Sequence, residues 1–290
     1  ACHEQGYLVY WKRLLKGEKI VLKKKIDWGY AFGLASAWFG TNCGPGFASG
    51  QLATVFFISC GWFGTWTCWI SIGLIGIMLL ITAEVSRYAK CKTYLDFANA
   101  LYAPFGKYLT WLYELSIMFV IFVGGAATLA GAGQILESAT GLPYMVCVFG
   151  FGTLTAVIIM FGRNLVLKAS SIFAVILFIT IGVFAVMTIT EQYDNISFIM
   201  RTRWSPVEGM KWFPAVISAC TFFAWQGGST APISSLISDN ANRKSHLAFA
   251  VIGWILNAGA MCLICFALLG YGQEILLSDT PISNPVLWVM

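Results

Sequence analysis

Thr41-Asn42-Cys43-Gly44-Pro45-Gly46-Phe47-Ala48-Ser49-Gly50 and Gln226-Gly227-Gly228-Ser229-Thr230-Ala231-Pro232 carry the chemistry this chain can offer, and it is mainly chemistry of the backbone. Each run lies inside an apolar stretch, 28–61 and 212–238, that is too long for one plain membrane helix. Glycine admits positive φ and close approach, while proline removes a donor and resists continuous helix, so both stretches are expected to break. Backbone that leaves the helix inside a bilayer must find partners in protein or in a wet cavity. A pair of breaks at corresponding positions of two halves points to the binding site of a secondary transporter.

In the first run, a half-helix starting near Gly50 would turn free N–H groups and a positive dipole end toward an anionic group such as a carboxylate. Gly44, Gly46, Phe47, Ala48 and Ser49 are the candidate solute contacts there. Carbonyls around Gly40, Thr41 and Cys43 suit an ammonium group or a small cation. In the second run, Gly227 and Gly228 end one half-helix, and Ser229, Thr230 and Pro232 suit the start of the next. Gln226 and Asn257 add polar side chains at similar depth, and Trp225 with Phe222 and Phe223 offers apolar cover. A kinked packing contact is the alternative reading of either run; Thr41, Asn42, Ser49 and Gln51 argue against it at the first.

Titratable groups are sparse inside the apolar runs. Glu84 stands three residues before Arg87 and reads as a local pair at a helix end. Asp27, Glu114 and Glu137 fall near the ends of spans, and the two histidines, His3 and His246, are far apart in sequence. No nucleophile, base or metal set is visible at membrane depth, so the chain is not read as an enzyme. Sodium held by carbonyl and hydroxyl oxygens needs no carboxylate, which favours sodium over a proton as the coupling ion. Proton coupling stays open.

These groups have to be positioned by membrane helices. The 290 residues are 58% hydrophobic and 11% charged, with mean hydropathy +0.75; soluble domains carry about 25% charged residues. Runs near 20 residues point to an all-α integral membrane protein. Seven spans are expected, at about 28–61, 62–86, 109–136, 143–162, 168–190, 212–239 and 245–272. The net charge of +5 does not imply nucleic acid, because the basic residues sit in short loops beside apolar spans. Fifteen of the 18 lysines and arginines fall on one side, against Arg201, Arg203 and Lys211 on the other. This bias predicts a plasma (inner) membrane protein with a cytoplasmic N-terminus. Residues 1–27 read as a basic cytoplasmic segment without a signal peptide. The cysteines, Cys60, Cys68 and Cys147 among them, read as small buried hydrophobes. Residues 90–108 suggest an interfacial helix, 191–211 a partly helical outer loop and candidate lid, and Gly124 to Gly133 a close-packing seam.

The string GTNCGPGFASGQ, Gly40 through Gln51, is similar to a glycine-rich first-helix motif that ends in G-F-A-T/S-G. Downstream come a basic loop, a glycine-rich third helix and an interrupted sixth. On these features the chain resembles the LeuT-fold amino acid–polyamine–organocation superfamily and, more narrowly, the YkvI-like bacterial membrane proteins. The likeness covers most of residues 28–275; the first motif is its specific part and the rest is architectural. It implies a LeuT-like inverted-repeat bundle: a five-helix repeat over 28–190, an extracellular loop over 191–211, and a second repeat over 212–290. Solute would bind at discontinuous helices 1 and 6, and access would alternate by rocking of one bundle against a scaffold. The second repeat stops after its second helix, so helices 8 to 10 have no counterpart in this sequence. Neither does the share of one common sodium site that helix 8 supplies. The resulting expectation is a cation-coupled carrier of a small zwitterionic solute such as an amino acid, embedded in membrane lipid. The alternatives are an ion channel, or a membrane receptor or structural protein that transports nothing. A channel would need repeated rings of polar groups, and none is visible.

Overall fold

The computed structural model describes residues 25–160, 163–206, 212–237, 241–278, 282 and 285–289. Among these, every regular element is helical. Helix α1, Trp28–Asn42, begins where the Asp27 carboxylate accepts the Tyr30 N–H at 3.0 Å and its carbonyl accepts that of Ala31. That is an aspartate satisfying first-turn donors that have no helical partner. It stops at Asn42 because the residue before a proline, here Gly44, is pushed out of helical conformation. A four-residue turn of helix, α2 (Pro45–Ala48), follows, and then α3 (Gln51–Phe56).

The half-helix expected over 50–61 is not one helix. It runs for six residues, kinks at Phe57 (φ −122°, ψ −55°) and passes into a 3₁₀ segment, Ile58–Phe63. Gly61 in that segment has φ 70° and ψ −152°, a conformation open essentially to glycine alone. Helix α4 then runs over Gly64–Ala89, α5 over Tyr94–Leu101, α6 over Gly106–Thr140, α7 over Tyr144–Met160 and α8 over Arg163–Glu191. Helix α9 spans Tyr193–Thr202 and α10 Trp212–Trp225. A 3₁₀ turn at Gln226–Ser229 leads into α11 (Thr230–Leu236). The rest comprises α12 (Arg243–Leu269), α13 (Gly272–Leu277) and α14 (Pro285–Val289).

Four segments among the described residues are long and apolar enough to cross a membrane: Ile58–Ala89, Tyr108–Thr140, Ile172–Glu191 and Arg243–Leu269. That is fewer than the seven expected. Two of the missing three are the interrupted stretches, each divided into helices too short to qualify. The third, α7, is apolar throughout but has only 17 residues. Large apolar side chains stand exposed along α6, among them Trp111, Phe119, Ile121 and Phe122. A surface of that kind suits hydrocarbon as its solvent. The chain is a multi-pass helical membrane protein.

The described residues cluster into two compact units, with boundaries inside α1, α4, α6 and α12. One takes in the described residues within 25–35, 76–126 and 228–253. Here α5 packs against α11, and Val85, Cys91, Phe97 and Ala100 form a buried cluster. Helix α5 lies within the stretch expected to be interfacial, and a reciprocal cap starts it. The Thr93 hydroxyl accepts the Asp96 N–H at 3.2 Å, and the Asp96 carboxylate accepts the Thr93 N–H at 3.0 Å. Slight burial raises the Asp96 carboxyl, but its bonds with Thr93 and the Lys92 N–H outweigh that and hold it below the usual aspartate value.

The other unit draws on Ser36–Ile75, Ala127–Gly227 and Trp254–Met290. Its core includes Trp38, Phe39, Phe47, Phe57 and Phe222. Of the stretch 191–211 expected as an outer loop, the described residues are partly helical, as α9, and the segment after it docks on the Gly61 corner. The Trp62 N–H donates to the Trp204 carbonyl at 3.1 Å, and the Arg203 guanidinium lies 5.6 Å from the Trp62 ring centroid. The expected glycine seam on α6 is a close contact at Gly133, where an added Cβ would come 2.4 Å from Val148. At Gly124 and Gly125 it would meet nothing within 4 Å.

Gly61→Ala should destabilise the protein by about 1–3 kcal/mol from backbone strain alone. The methyl would also fall 2.5 Å from the Trp204 carbonyl oxygen. Gly124→Ala should leave the melting temperature in detergent nearly unchanged, and equal losses in the two variants would contradict this geometry.

Candidate functional site

At the first break the peptide groups are largely used within the turn itself. The N–H groups of Phe47 and Ala48 both donate to the Gly44 carbonyl, at 3.0 and 3.1 Å. Gly50 N–H donates to Phe47 O at 3.1 Å, and the Ser49 carbonyl accepts from Val286 N–H at 2.9 Å. Phe47 and Ala48 therefore do not hold free donors for a solute. Of the three glycines singled out there, Gly50 alone has positive φ (76°). A Cβ on it would lie 2.5 Å from Leu268 and 3.0 Å from Val286, so both conformation and space demand glycine. Gly46 would touch Leu52 at 3.1 Å, whereas Gly44 has nothing within 4 Å. The room at this break lies beside Gly44.

Among the cation candidates, Thr41 donates its hydroxyl to Trp38 O at 2.8 Å, and Cys43 N–H donates to Phe39 O at 2.9 Å. The carbonyl of Gly40 is at the last turn of α1. The side chain between them matters more. Asn42 is 3% exposed, and its Nδ2 donates to Oδ1 of Asn257 at 2.9 Å. Its own Oδ1 is buried with no partner among the described residues. An acceptor of that kind inside an apolar bundle is a place for an N–H donor or a cation.

The second break is a tightening, not an unwinding. Gln226–Ser229 form a 3₁₀ turn, with Gln226 and Ser229 both buried. Trp225 is 60% exposed, whereas Phe222 is 1% exposed and packs edge-on or tilted against Phe56 and Phe57, with centroids 5.5 and 5.1 Å apart. Phe222 is thus core, not a cover over a ligand. Trp225, Gln226 and Gly227 belong to the same unit as the first break, while Gly228 and Ser229 fall in the other unit. There a Cβ on Gly228 would sit 3.1 Å from Val120, and Thr230 bonds its hydroxyl to that of Tyr113 at 2.9 Å.

The half-helices next to the two breaks meet within one unit. Helix α3 packs against α10, and the Ser218 hydroxyl donates to the Phe56 carbonyl at 2.6 Å. Nearby, Ser71 donates to the Ala219 carbonyl at 2.7 Å, tying α4 to α10.

Sequence reasoning had Asn257 as a polar group at this depth but missed that Asn42 is its partner. The only sequence signal was an asparagine inside each of two apolar runs. Glu84 and Arg87 are paired as expected, at 2.6 Å. What spacing could not reveal is that Glu84 also meets His246, 162 residues away, at 2.8 Å.

Comparison with known proteins gives one point of contact. An uncharacterized membrane protein, YkvI of Bacillus subtilis (strain 168), is 32% identical over 117 residues. The matched stretch is 39% of this chain and spans 32% of that protein's length. No family model and no solved structure matches the chain.

Replacing Asn42 or Asn257 singly by leucine should cost more than replacing both, because one amide is then left buried against hydrocarbon. A double-mutant cycle on unfolding in detergent should give a coupling of about 1 kcal/mol. Additive losses would mean that the two amides do not support one another.

Proposed function

We propose that the chain works as a secondary carrier of a small zwitterionic solute, an amino acid being the simplest, coupled to a cation with sodium favoured over a proton. The arrangement would be LeuT-like, with access alternating around two discontinuous helices. What carries this reading is that both apolar stretches are interrupted in a membrane protein, the first on either side of the short turn Pro45–Ala48 and the second by the 3₁₀ turn Gln226–Ser229. The half-helices beside those breaks, α3 and α10, pack together. Interrupted backbone at membrane depth is tolerated where it lines a cavity or is buried in protein, and paired interruptions are the hallmark of solute sites in carriers.

The contacts divide by chemistry. The open side of Gly44 gives a solute access to the backbone, and the buried Asn42 Oδ1 beside it suits an ammonium group or a dehydrated cation. Gly46, Ser49, Gln226 and Gly227 complete the candidate set in that unit. The likeness to YkvI adds membrane character and no substrate, since that relative is itself uncharacterized.

The test is a thermal-stability screen of the purified protein against amino acids, with and without sodium. One class of zwitterion should raise the melting temperature only when sodium is present, and saturation at 100 times Kd corresponds to about 2.7 kcal/mol. Saturable uptake of that class into proteoliposomes should follow. Gly46→Trp, which must displace Leu52, should remove the ligand response while membrane insertion persists. Failure of every zwitterion to stabilise the protein would defeat the substrate assignment.

A further inference from the structure

We propose that His246 and Glu84 form a proton-binding site, and that loading it tightens the junction of three chain segments: the start of α1, the end of α4 and the first turn of α12. His246 is 0% exposed. Its Nδ1 lies 2.8 Å from Glu84 Oε1, and its Nε2 lies 3.4 Å from the Tyr30 hydroxyl. The other carboxylate oxygen, Oε2, is 2.6 Å from Arg87. The backbone holds the same junction, for Asp27 N–H donates to the Ser245 hydroxyl at 2.9 Å and Asn242 Nδ2 to the Lys25 carbonyl at 2.8 Å.

The hydrogen-bonding inventory fixes the protonation states. An ionised carboxylate only accepts, so Nδ1 must carry a hydrogen and donate it to Glu84. In the neutral ring Nε2 is then the acceptor, and the Tyr30 hydroxyl is its donor. Hydronium gives a proton to the Nε2 lone pair and leaves as water, and the Tyr30 hydroxyl gives up its bond to Nε2 and rotates so that its oxygen accepts the new N–H. Both states are satisfied by the same three side chains, which is what separates a proton site from a buried histidine merely tolerated in a core. Tyr30 and Glu84, on the two edges of the buried ring, are each partly exposed.

Loading changes the mechanics. The Nδ1–H to carboxylate bond, already charge-assisted through the ionised Glu84, becomes an ion pair when the ring is protonated. The other charged or titratable groups on these elements are Lys25 and Asp27 ahead of α1, Arg87 and Tyr88 on α4, and Arg243 and Lys244 in the first turn of α12. Of these, Arg87 is bonded to Glu84 and lies 4.5 Å from the Tyr88 ring centroid. The site does not depend on the carrier reading above. Its use to couple or gate transport does rest on that reading.

An unperturbed histidine side chain changes charge between about pH 5 and 8, which sets the range of the test at pH 5.5 to 8. The intact chain in detergent should be melted across that window as wild type, His246→Gln, Glu84→Gln and Tyr30→Phe. Glutamine keeps hydrogen-bonding capacity at position 246 without a titrating ring. Because the carboxylate favours the protonated ring, wild type should gain several degrees at pH 5.5 relative to pH 8 beyond the change in His246→Gln. That excess should vanish in Glu84→Gln and shrink in Tyr30→Phe. The sequence holds only two histidines, so a histidine-labelled sample gives two ring signals, and the one lost in His246→Gln identifies the site. That signal should move across the same window. Parallel melting curves for wild type and His246→Gln, or a His246 signal constant from pH 5.5 to 8, would overturn the proposal. Neither result would bear on solute binding at the two breaks.

Discussion

A peptide group in hydrocarbon has no water to turn to, and nearly everything built here answers to that fact. Leaving an N–H or C=O unpaired in a bilayer costs several kcal/mol. The first break meets the demand by folding on itself: the Gly44 carbonyl takes two N–H groups, and Gly50 closes the turn in a left-handed conformation. The second break meets it by tightening, since a 3₁₀ turn keeps its i to i+3 bonds while shifting the helix axis. The two interruptions are therefore different devices. One consumes its own donors, and the other conserves the ladder while burying Gln226 and Ser229.

The same demand explains how the helices hold one another. Lipid tails are as apolar as leucine, so the hydrophobic effect gives helix pairing little direction. Polar side chains supply it instead. Ser71 and Ser218 reach carbonyls on other elements, Trp254 Nε1 donates to the Trp69 carbonyl at 3.0 Å, and Asn42 meets Asn257. Aromatic edges fill the space between these bonds, as where Trp69 and Trp254 cross at 89° with centroids 5.8 Å apart.

Local rules made much of this legible before any coordinates. Membrane character followed from composition, and the corner between the first two spans fell at Gly61, where glycine and the end of an apolar run coincide. The helix at 94–101 was visible from its apolar spacing, and the two interruptions from glycine and proline. What escaped was whatever depends on residues far apart in sequence. Phe222 looked free to cover a ligand because nothing local says that Phe56 and Phe57 occupy its face. Phe47 and Ala48 looked like donors because the backbone of a four-residue turn cannot be read from residue type. The glycines at 124 and 125 matched a packing motif, yet neither has a neighbour close enough to need it, whereas Gly133 does. His246 was noted only as far from His3, because its carboxylate partner lies 162 positions away.

The bond from Val286 N–H to the Ser49 carbonyl has a mechanical consequence. Ser49 sits at the junction of α2 and α3, the place where a change of backbone angle would swing one half of the first stretch against the other. Helix α14 is pinned to that pivot, with Pro285 and Val286 also lying against the bare face of Gly50. A swing of more than about half an ångström takes this bond beyond hydrogen-bonding range unless α14 travels too. Ser49 and Val286, 237 positions apart in the sequence, are thus mechanically tied to one another.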